Sequence, residues 1–152
     1  MNRYPQLLED VRRILDREHR AEEKMQSVAT LLHENVEDFD CVAFFLIDPD
    51  HRRQLIIGPQ AGAGLDPGCL VVGQGVCGQV AERGISIVVD NVAEELNYVP
   101  GHEETKSEIV LPVFRSGQVV AELDINSFRL ARFDAADRMF LEEVCLLLTD
   151  QV

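Results

Sequence analysis

The chain has 152 residues, of which 46% are hydrophobic and 27% are charged, a balance that predicts one soluble globular domain. Its 14 basic and 27 acidic residues give a net charge of 14 − 27 = −13, which argues against a nucleic-acid partner and against an anionic membrane surface. No apolar run approaches the roughly 20 residues that cross a bilayer. Residues 1–5 lead into charged sequence without a signal-peptide pattern, so we expect a cytoplasmic protein.

Two stripes of apolar residues at helical spacing occupy the N-terminal third, over residues 7–15 and 25–36. Apolar residues three and four positions apart are typical of amphipathic helices, which we predict near 5–18 and 21–36. The first stripe, within residues 1–20, is also a candidate dimerisation element. We therefore expect a homodimer.

The hydrophobic period changes in the middle of the chain from that of helices to that of strands. Residues 41–47 are apolar on both faces, which predicts a central strand covered on both sides. Turn residues separate the elements that follow. In order, we predict a hairpin partner at 54–57, a loop at 58–68, a short strand at 69–72, a short helix in the second half of 73–84, a strand at 86–89 and a long polar loop at 90–106.

The last third predicts a hairpin and a helix. Strands at 108–115 and 118–126 are joined at Ser116-Gly117, and a helix capped by Asp134 runs to about Thr149. Helices at both ends of a strand-rich middle indicate an α+β domain with a mainly antiparallel sheet. We expect the N- and C-terminal helices to share one face of this sheet. The middle loops and the short helix should leave a small-molecule pocket on the other face.

The strand at 118–126 carries an unusual polar face. Because side chains alternate along a strand, Val120, Glu122, Asp124 and Asn126 lie on the same side. Three polar groups in a row need either water or a polar ligand. The face is therefore either solvated, or its carboxylates receive the ammonium or amide groups of a ligand.

The length of the hairpin loop decides whether Glu108 joins this face. A two-residue loop pairs Arg115 with Gln118 and would place Glu108 on the opposite face from Asp124. A three-residue loop with Gly117 in a left-handed conformation would pair Glu108 directly with Asp124, and the glycine favours this loop slightly. Two facing carboxylates repel each other, so such a pair would indicate a positive ligand group between them.

The four cysteines are Cys41, Cys69, Cys77 and Cys145; they form no CxxC pair and lie at no zinc-ligand spacing from a histidine. Without a secretory pattern we expect free thiols. Cys41 and Cys145 lie in apolar runs and are predicted to be buried core residues. Cys77 is either such a residue or a thiol activated near a helix N-terminus.

Two other patterns carry no site. The glycines of residues 73–78 lack the Lys-Ser/Thr of a phosphate-binding loop, so nucleotide binding there is rejected. His102, Glu103 and Glu104 are neighbours in the chain, and adjacent side chains rarely converge on one ion. We therefore expect neither a metal ion nor a cofactor.

Four blocks of sequence together resemble the free methionine-R-sulfoxide reductases, which are stand-alone GAF domains. The blocks are GQGVCG at 73–78, VPGH at 99–102, ETKSEIVLPV at 104–113 and LDINS at 123–127. The resemblance implies a GAF fold, with a central antiparallel sheet, helices on one face and a pocket on the other. We expect the whole of residues 1–152 to form a single GAF-like domain.

The resemblance also implies thiol chemistry. In the family, a cysteine thiolate attacks the sulfoxide sulfur, and the resulting sulfenic acid is resolved as a disulfide that thioredoxin reduces. The attacking cysteine lies in a short insert between the Pro-Gly-His and Lys-Ser-Glu blocks. This chain lacks that insert, and no cysteine lies between Cys77 and Cys145. Cys77 matches another family cysteine, and Cys69 lies near the place of the resolving cysteine.

Several pocket positions follow from the same resemblance. Glu108 and Asp124 match two pocket carboxylates of the family, whereas Asn126 replaces a third. A neutral amide binds a ligand ammonium more weakly than a carboxylate does. Cys41 and Phe45 take the places of a pocket tryptophan and a phenol.

These observations predict a domain that binds or senses a small, amino-acid-like metabolite, with a role in signalling. Six residues are expected to contact the ligand: Glu108, Asp124, Asn126, Glu122, Phe45 and Cys41. We expect no sulfur nucleophile over these carboxylates. Two alternatives stay open. One is an active free methionine-R-sulfoxide reductase that uses Cys77 and Cys69 with thioredoxin, and the other is a dimeric interaction module without a ligand.

Overall fold

A computed structural model describes residues 2–67 and 70–152. Within these residues, the helices and strands follow one another in the predicted order. They are α1 (Tyr4–Arg17), α2 (Ala21–Asn35), β1 (Cys41–Asp48), β2 (His51–Gly62), β3 (Leu70–Val71), α3 (Gly75–Arg83), β4 (Ile87–Val89), β5 (Ser107–Arg115), β6 (Gln118–Ser127) and α4 (Ala135–Leu148), with one 3-10 turn at Val92–Glu94. Among the described helices, none combines the length and the apolar character needed to cross a membrane.

The strands form one sheet with the order β3-β2-β1-β6-β5-β4, and every neighbouring pair is antiparallel. Strand β1 lies in the middle, and its first five residues are buried. This burial on both faces explains its unbroken apolar sequence. The predicted α+β class with an antiparallel sheet is confirmed.

Helices α1, α2 and α4 cover one face of the sheet, as predicted. Their apolar stripes pack against inward-facing residues of β1, β5 and β6, among them Phe44, Leu111 and Leu123, each fully buried. The stripe of α1 is therefore used inside the domain, because Leu7 and Val11 are 1% and 0% exposed. This stripe is not free to pair with a second copy, and the homodimer stays a prediction.

The other face of the sheet carries a second, smaller core. Helix α3 and the segments on either side of it lie over β1 and β5 there. Its buried members are Cys41, Ala43, Phe45, Leu55, Leu65, Leu70, Val76, Cys77, Val80, Val89 and Val110. Cys41 is buried here and Cys145 in the larger core, as the sequence predicts.

Strand β2 is longer than predicted, because residues 58–62 continue the strand instead of beginning a loop. Gln60 pairs with Ala43, whereas Ile57 pairs with Phe45, so two residues of β2 oppose one of β1. This β-bulge accommodates the Gly-Pro pair at 58–59, which an unbroken ladder would not tolerate. The turn-rich composition therefore marks a bulge here, and only the later part of the segment leaves the sheet.

The hairpin between β5 and β6 has a two-residue loop, and the prediction of a three-residue loop is wrong. Arg115 pairs with Gln118, and Ser116 and Gly117 both have positive φ, at 51° and 78°. Two positive φ values are typical of a type I′ turn, whose twist matches that of the flanking strands. A glycine in the loop did not distinguish between the two loop lengths.

A register shift just after this turn places Glu108 on the polar face of β6 after all. Val113 pairs with Ala121, although Phe114 pairs with Val119, so Val120 is the extra residue of a bulge. As a result Glu108 lies opposite Asn126, and not opposite Asp124 as predicted. Glu108 and Asp124 nevertheless share one face of the sheet, because the bulge changes the alternation by one residue.

A polar cluster joins the two ends of the chain. Asp134 caps α4, as predicted, by accepting a hydrogen bond from Asp137 N at 2.9 Å. Asp137 is 4% exposed, yet its carboxylate accepts hydrogen bonds from Arg132 Nη1 at 2.8 Å and from the Tyr4 hydroxyl of α1. Burial raises the pKa of Tyr4, so this phenol stays a donor.

We predict that Asp137→Ala lowers the free energy of unfolding by about 3 kcal/mol, because Arg132 and Tyr4 then lose a charged, buried partner. Urea unfolding measures the change. Glu9→Ala is the control, because it removes only an exposed ion pair with Arg12 and should change stability by less than about 1 kcal/mol. Equal effects of the two substitutions would contradict this role for Asp137.

Candidate functional site

The polar face of β6 is buried, which excludes the solvated alternative. Glu122, Asp124 and Asn126 are 0%, 3% and 1% exposed, and Glu108 of β5 is 5% exposed. Helix α3 and the segment at 98–101 lie over this face. The neighbouring strands place these polar side chains side by side, away from the helices that cover the opposite face.

Asn126 holds two of the acidic side chains together. Its Nδ2 donates hydrogen bonds to Asp124 Oδ1 at 2.8 Å and to Glu108 Oε2 at 3.3 Å. Its Oδ1 accepts a hydrogen bond from Thr105 Oγ1 at 2.9 Å, and Thr105 lies just before β5. The amide therefore positions both carboxyl groups. A carboxylate in place of Asn126 would add negative charge to the site and would not fill this role.

A thiol lies directly beside these carboxyl groups, so the expectation that no sulfur lies over them is wrong. Cys77 is on the first turn of α3, and its Sγ donates a hydrogen bond to Asp124 Oδ2 at 3.2 Å. Gly78 permits a close approach of α3 to β3, since a Cβ there would lie 2.3 Å from the carbonyl oxygen of Val71. Sequence spacing does not show such a contact between residues 47 positions apart.

The surroundings of Cys77 favour the protonated form of its thiol. Burial, followed by the charge of Asp124, raises the pKa of Cys77 well above its usual value. These effects oppose the helix N-terminus, which on its own would lower the pKa of a thiol. These surroundings favour the buried, unreactive alternative for Cys77, and its role stays a prediction.

The acidic groups are also held toward their neutral forms. Burial raises the pKa values of Glu108, Glu122 and Asp124, and the charge of Asp124 raises those of the two glutamates further. No ion pair within the described ranges involves any of the three. Three carboxyl groups without a basic partner define a site with a deficit of positive charge.

Glu122 is the most unusual member of this group. Neither of its carboxyl oxygens has a hydrogen-bond partner among the described residues, although the side chain is fully buried. The Cys77 thiol and the Asp124 carboxyl group are close enough to act on its pKa. An unsatisfied buried carboxyl group is costly and indicates a missing partner.

A small cavity of about 20 Å³ lies beside these groups. That is room for about one water molecule. Its polar lining is Cys77, Glu108, Asp124 and Asn126, and its other lining residues are Phe45, Leu65, Pro67, Leu70, Gly75, Val76, Val99 and Gly101. A hydrogen bond of 2.9 Å from Asp66 N to Gly101 O joins the two segments that close it. A larger ligand therefore requires these segments to separate.

Not all of the predicted residues reach the cavity. Phe45 lines it, whereas Cys41 and Glu122 are buried beside it. Cys41 pairs with Asn126 across β1 and β6, and burial raises the pKa of its thiol to about 12. Cys69 lies outside the described residues, so its pairing with Cys77 stays a prediction.

Sequence reasoning missed Tyr98. Its hydroxyl is buried near Thr105 and the backbone of Gly101, and it makes no hydrogen bond of normal geometry among the residues that the structure describes. Burial raises its pKa, and the charges of Glu108 and Asp124 add to this effect, which places the phenol near the acidic groups. The signal was present but weak, because Tyr98 and Val99 are apolar residues within a long polar segment.

The chain is similar in sequence to a known family and to several known proteins. The GAF domain family model matches residues 18–150, and the chain belongs to this family. GAF domain-containing protein A of Dictyostelium discoideum is 29% identical over 147 residues, which cover 95% of this chain and 89% of that protein. The free methionine-R-sulfoxide reductase of Saccharomyces cerevisiae is 32% identical over 118 residues, or 73% of this chain and 62% of the yeast protein.

A solved structure agrees with both relatives. The free methionine-R-sulfoxide reductase from Neisseria meningitidis, in complex with its substrate, superposes with a TM-score of 0.90 at 28% sequence identity. The match covers 97% of this chain and 87% of that one. The domain is thus a GAF domain related to the free methionine-R-sulfoxide reductases, as the sequence blocks indicate.

We predict that Glu122→Gln makes the protein more stable at pH 8 by about 1–3 kcal/mol but changes little at pH 4.5. The raised pKa keeps Glu122 protonated in the folded state, whereas the unfolded chain releases that proton above about pH 4.3. The wild-type contribution is therefore present at low pH and is lost as the pH rises.

Urea unfolding across this pH range measures the effect. Glu143→Gln on the exposed side of α4 is the matched control, and its effect should not depend on pH. A stability difference between wild type and Glu122→Gln that is the same at both pH values would contradict the burial argument.

Proposed function

We propose that this domain binds a small, amino-acid-like metabolite through its ammonium group. The observation that carries the proposal is the set of buried carboxyl groups, Glu108, Glu122 and Asp124, with no ion pair to a basic side chain within the described residues. A ligand ammonium group supplies the missing positive charge and donates hydrogen bonds to the carboxylates. Binding of such a ligand would release protons from Glu108 and Asp124 to solvent, because their raised pKa values favour the protonated carboxyl groups when no ligand is bound.

The cavity lining favours a ligand with both a charged and an apolar part. Glu108 and Asp124 would receive the ammonium group, while Phe45, Val76 and Val99 would contact an apolar side chain. Because the closed cavity holds about one water molecule, we propose that binding separates the segments around Leu65 and Gly101. The unpartnered Tyr98 hydroxyl is then available as a donor to the same ligand.

The relatives support an amino acid as the ligand class. The yeast and Neisseria proteins are named as reductases of free methionine-R-sulfoxide, an oxidised amino acid. Methionine and its sulfoxides are therefore the first compounds to test.

A second candidate function is that of a thiol-dependent reductase, favoured by the contact between Cys77 and Asp124. In this reaction the sulfoxide oxygen passes to the thiol, which gives methionine and a cysteine sulfenic acid. The sulfenic acid condenses with Cys69 and releases water, and thioredoxin reduces the disulfide by two electrons. The raised pKa of Cys77 disfavours the first step, so the binding function stands first.

We predict that L-methionine or one of its sulfoxides raises the melting temperature by about 5–10 °C at a hundredfold excess over its Kd. N-acetyl-methionine, which lacks the ammonium charge, should give no shift. Glu108→Gln should weaken binding by about tenfold or more, because a charged hydrogen bond is lost. Glu104→Gln, on the exposed part of the same segment, is the matched control.

Two results would contradict the binding proposal. One is the absence of any shift with amino acids or their oxidised forms. The other is an equal shift with N-acetyl-methionine, which would show that the carboxyl groups do not bind the ammonium group.

We predict slow or absent turnover of free methionine-R-sulfoxide in a thioredoxin-coupled assay, because burial and the charge of Asp124 raise the pKa of the Cys77 thiol and so disfavour the thiolate. Thioredoxin-dependent turnover that is lost in Cys77→Ser and kept in Cys145→Ser would instead establish the reductase function. Cys145 is a fair control because it is buried in the opposite core.

A further inference from the structure

The cluster of Cys77, Glu108 and Asp124 includes a sulfur atom beside the carboxyl groups, and an ammonium ligand does not need this sulfur. The Cys77 sulfur and one carboxyl oxygen each from Glu108 and Asp124 all lie within 4.8 Å of one another. They come from α3, β5 and β6, so three separate elements fix their positions. A thiolate and carboxylates at this spacing can bind one metal ion together.

Glu122 provides an independent indication that a cation belongs here. It is 0% exposed, and both of its carboxyl oxygens lack a partner in the part of the chain that the structure describes. It lies on the same face of β6 as Asp124 and close to Cys77. A carboxyl group in that position can orient a metal-bound water molecule or complete the ligand set.

The chemistry of the ligands selects the ion. Mg²⁺ and Ca²⁺ take oxygen ligands and six or more of them, which a small cavity with a sulfur atom does not provide. A thiolate with carboxylates suits a borderline ion that accepts four ligands, such as Zn²⁺. The cavity of about 20 Å³, which has room for about one water molecule, can instead hold one such ion.

We propose that Cys77, Glu108 and Asp124 form a binding site for a divalent transition-metal ion of the Zn²⁺ class. Binding replaces the thiol proton and the carboxyl protons with metal–ligand bonds, so these protons are released to solvent. Asn126 is a positioning residue, because it already holds both carboxyl groups. The proposal goes beyond the amino-acid function, and it predicts that metal and ammonium ligand compete for the same carboxylates.

The test uses the full chain after treatment with a chelator, with Co²⁺ as the spectroscopic probe and Zn²⁺ as the competitor. Wild type should show a thiolate-to-cobalt charge-transfer band in the near ultraviolet, which Zn²⁺ removes and Mg²⁺ does not. Cys77→Ser should abolish the band and weaken Zn²⁺ binding by more than about tenfold. Cys145→Ser should leave both unchanged.

Glu122→Gln provides a second variant in case the cysteine substitution impairs folding. It keeps the proposed ligands and should weaken Zn²⁺ binding by about tenfold, while circular dichroism confirms the fold. Affinity should rise with pH, because protons leave the ligands.

The absence of Co²⁺ and Zn²⁺ binding to folded wild type at pH 8 would overturn the proposal. Equal binding by Cys77→Ser would also overturn it, because the ion would then be bound elsewhere. Binding of methionine to the chelator-treated protein is measured separately, so failure of the metal site and failure of the amino-acid site are distinguishable.

Discussion

A cluster of buried carboxyl groups without a basic partner is the constraint on which the site depends. Glu108, Glu122 and Asp124 are buried together beside a thiol, without an ion pair to a basic side chain in the described ranges. Two states satisfy this arrangement. Either the groups keep their protons, which is the state favoured by their raised pKa values, or a cation enters and the protons leave. Stability and ligand binding are therefore linked through the same protons, because a group that favours folding when neutral favours binding when ionised.

The backbone places these groups through two irregularities in an otherwise regular sheet. The extra residue at Val120 brings Glu108 onto the face of Asp124, although the tight turn at 116–117 alone would separate them. The bulge at 58–59 lets β2 continue beside β1. A bulge leaves one residue unpaired and increases the local twist, which disrupts the hydrogen bonds between the two strands. Bulges of this kind often lie next to functional sites. The packing of α1, α2 and α4 on the opposite face supplies the rigid support.

Sequence patterns predicted the parts of the fold that depend on local periodicity. Helical stripes, the central strand at 41–47 and the cap at Asp134 follow from spacing and residue type, and the structure confirms them. The alternation in β6 also predicted the acidic face. Registers and bulges escaped prediction because they depend on how two strands fit, and one residue changes the face that a side chain occupies. The contact of Cys77 with Asp124 and the burial of Tyr98 were missed for the same reason, since both arise from packing between distant segments.

The binding and redox properties of Cys77 are not independent. The carboxyl groups around it raise the pKa of its thiol, with burial as the larger cause. A cation bound among these groups offsets their charge, so it lowers the pKa of Cys77 relative to the empty site. An ammonium ligand leaves burial, the larger cause, in place, so the thiol keeps its proton, whereas a metal ion would replace that proton with a bond to the sulfur. The identity of the cation therefore determines whether Cys77 stays an inert thiol or becomes a ligand.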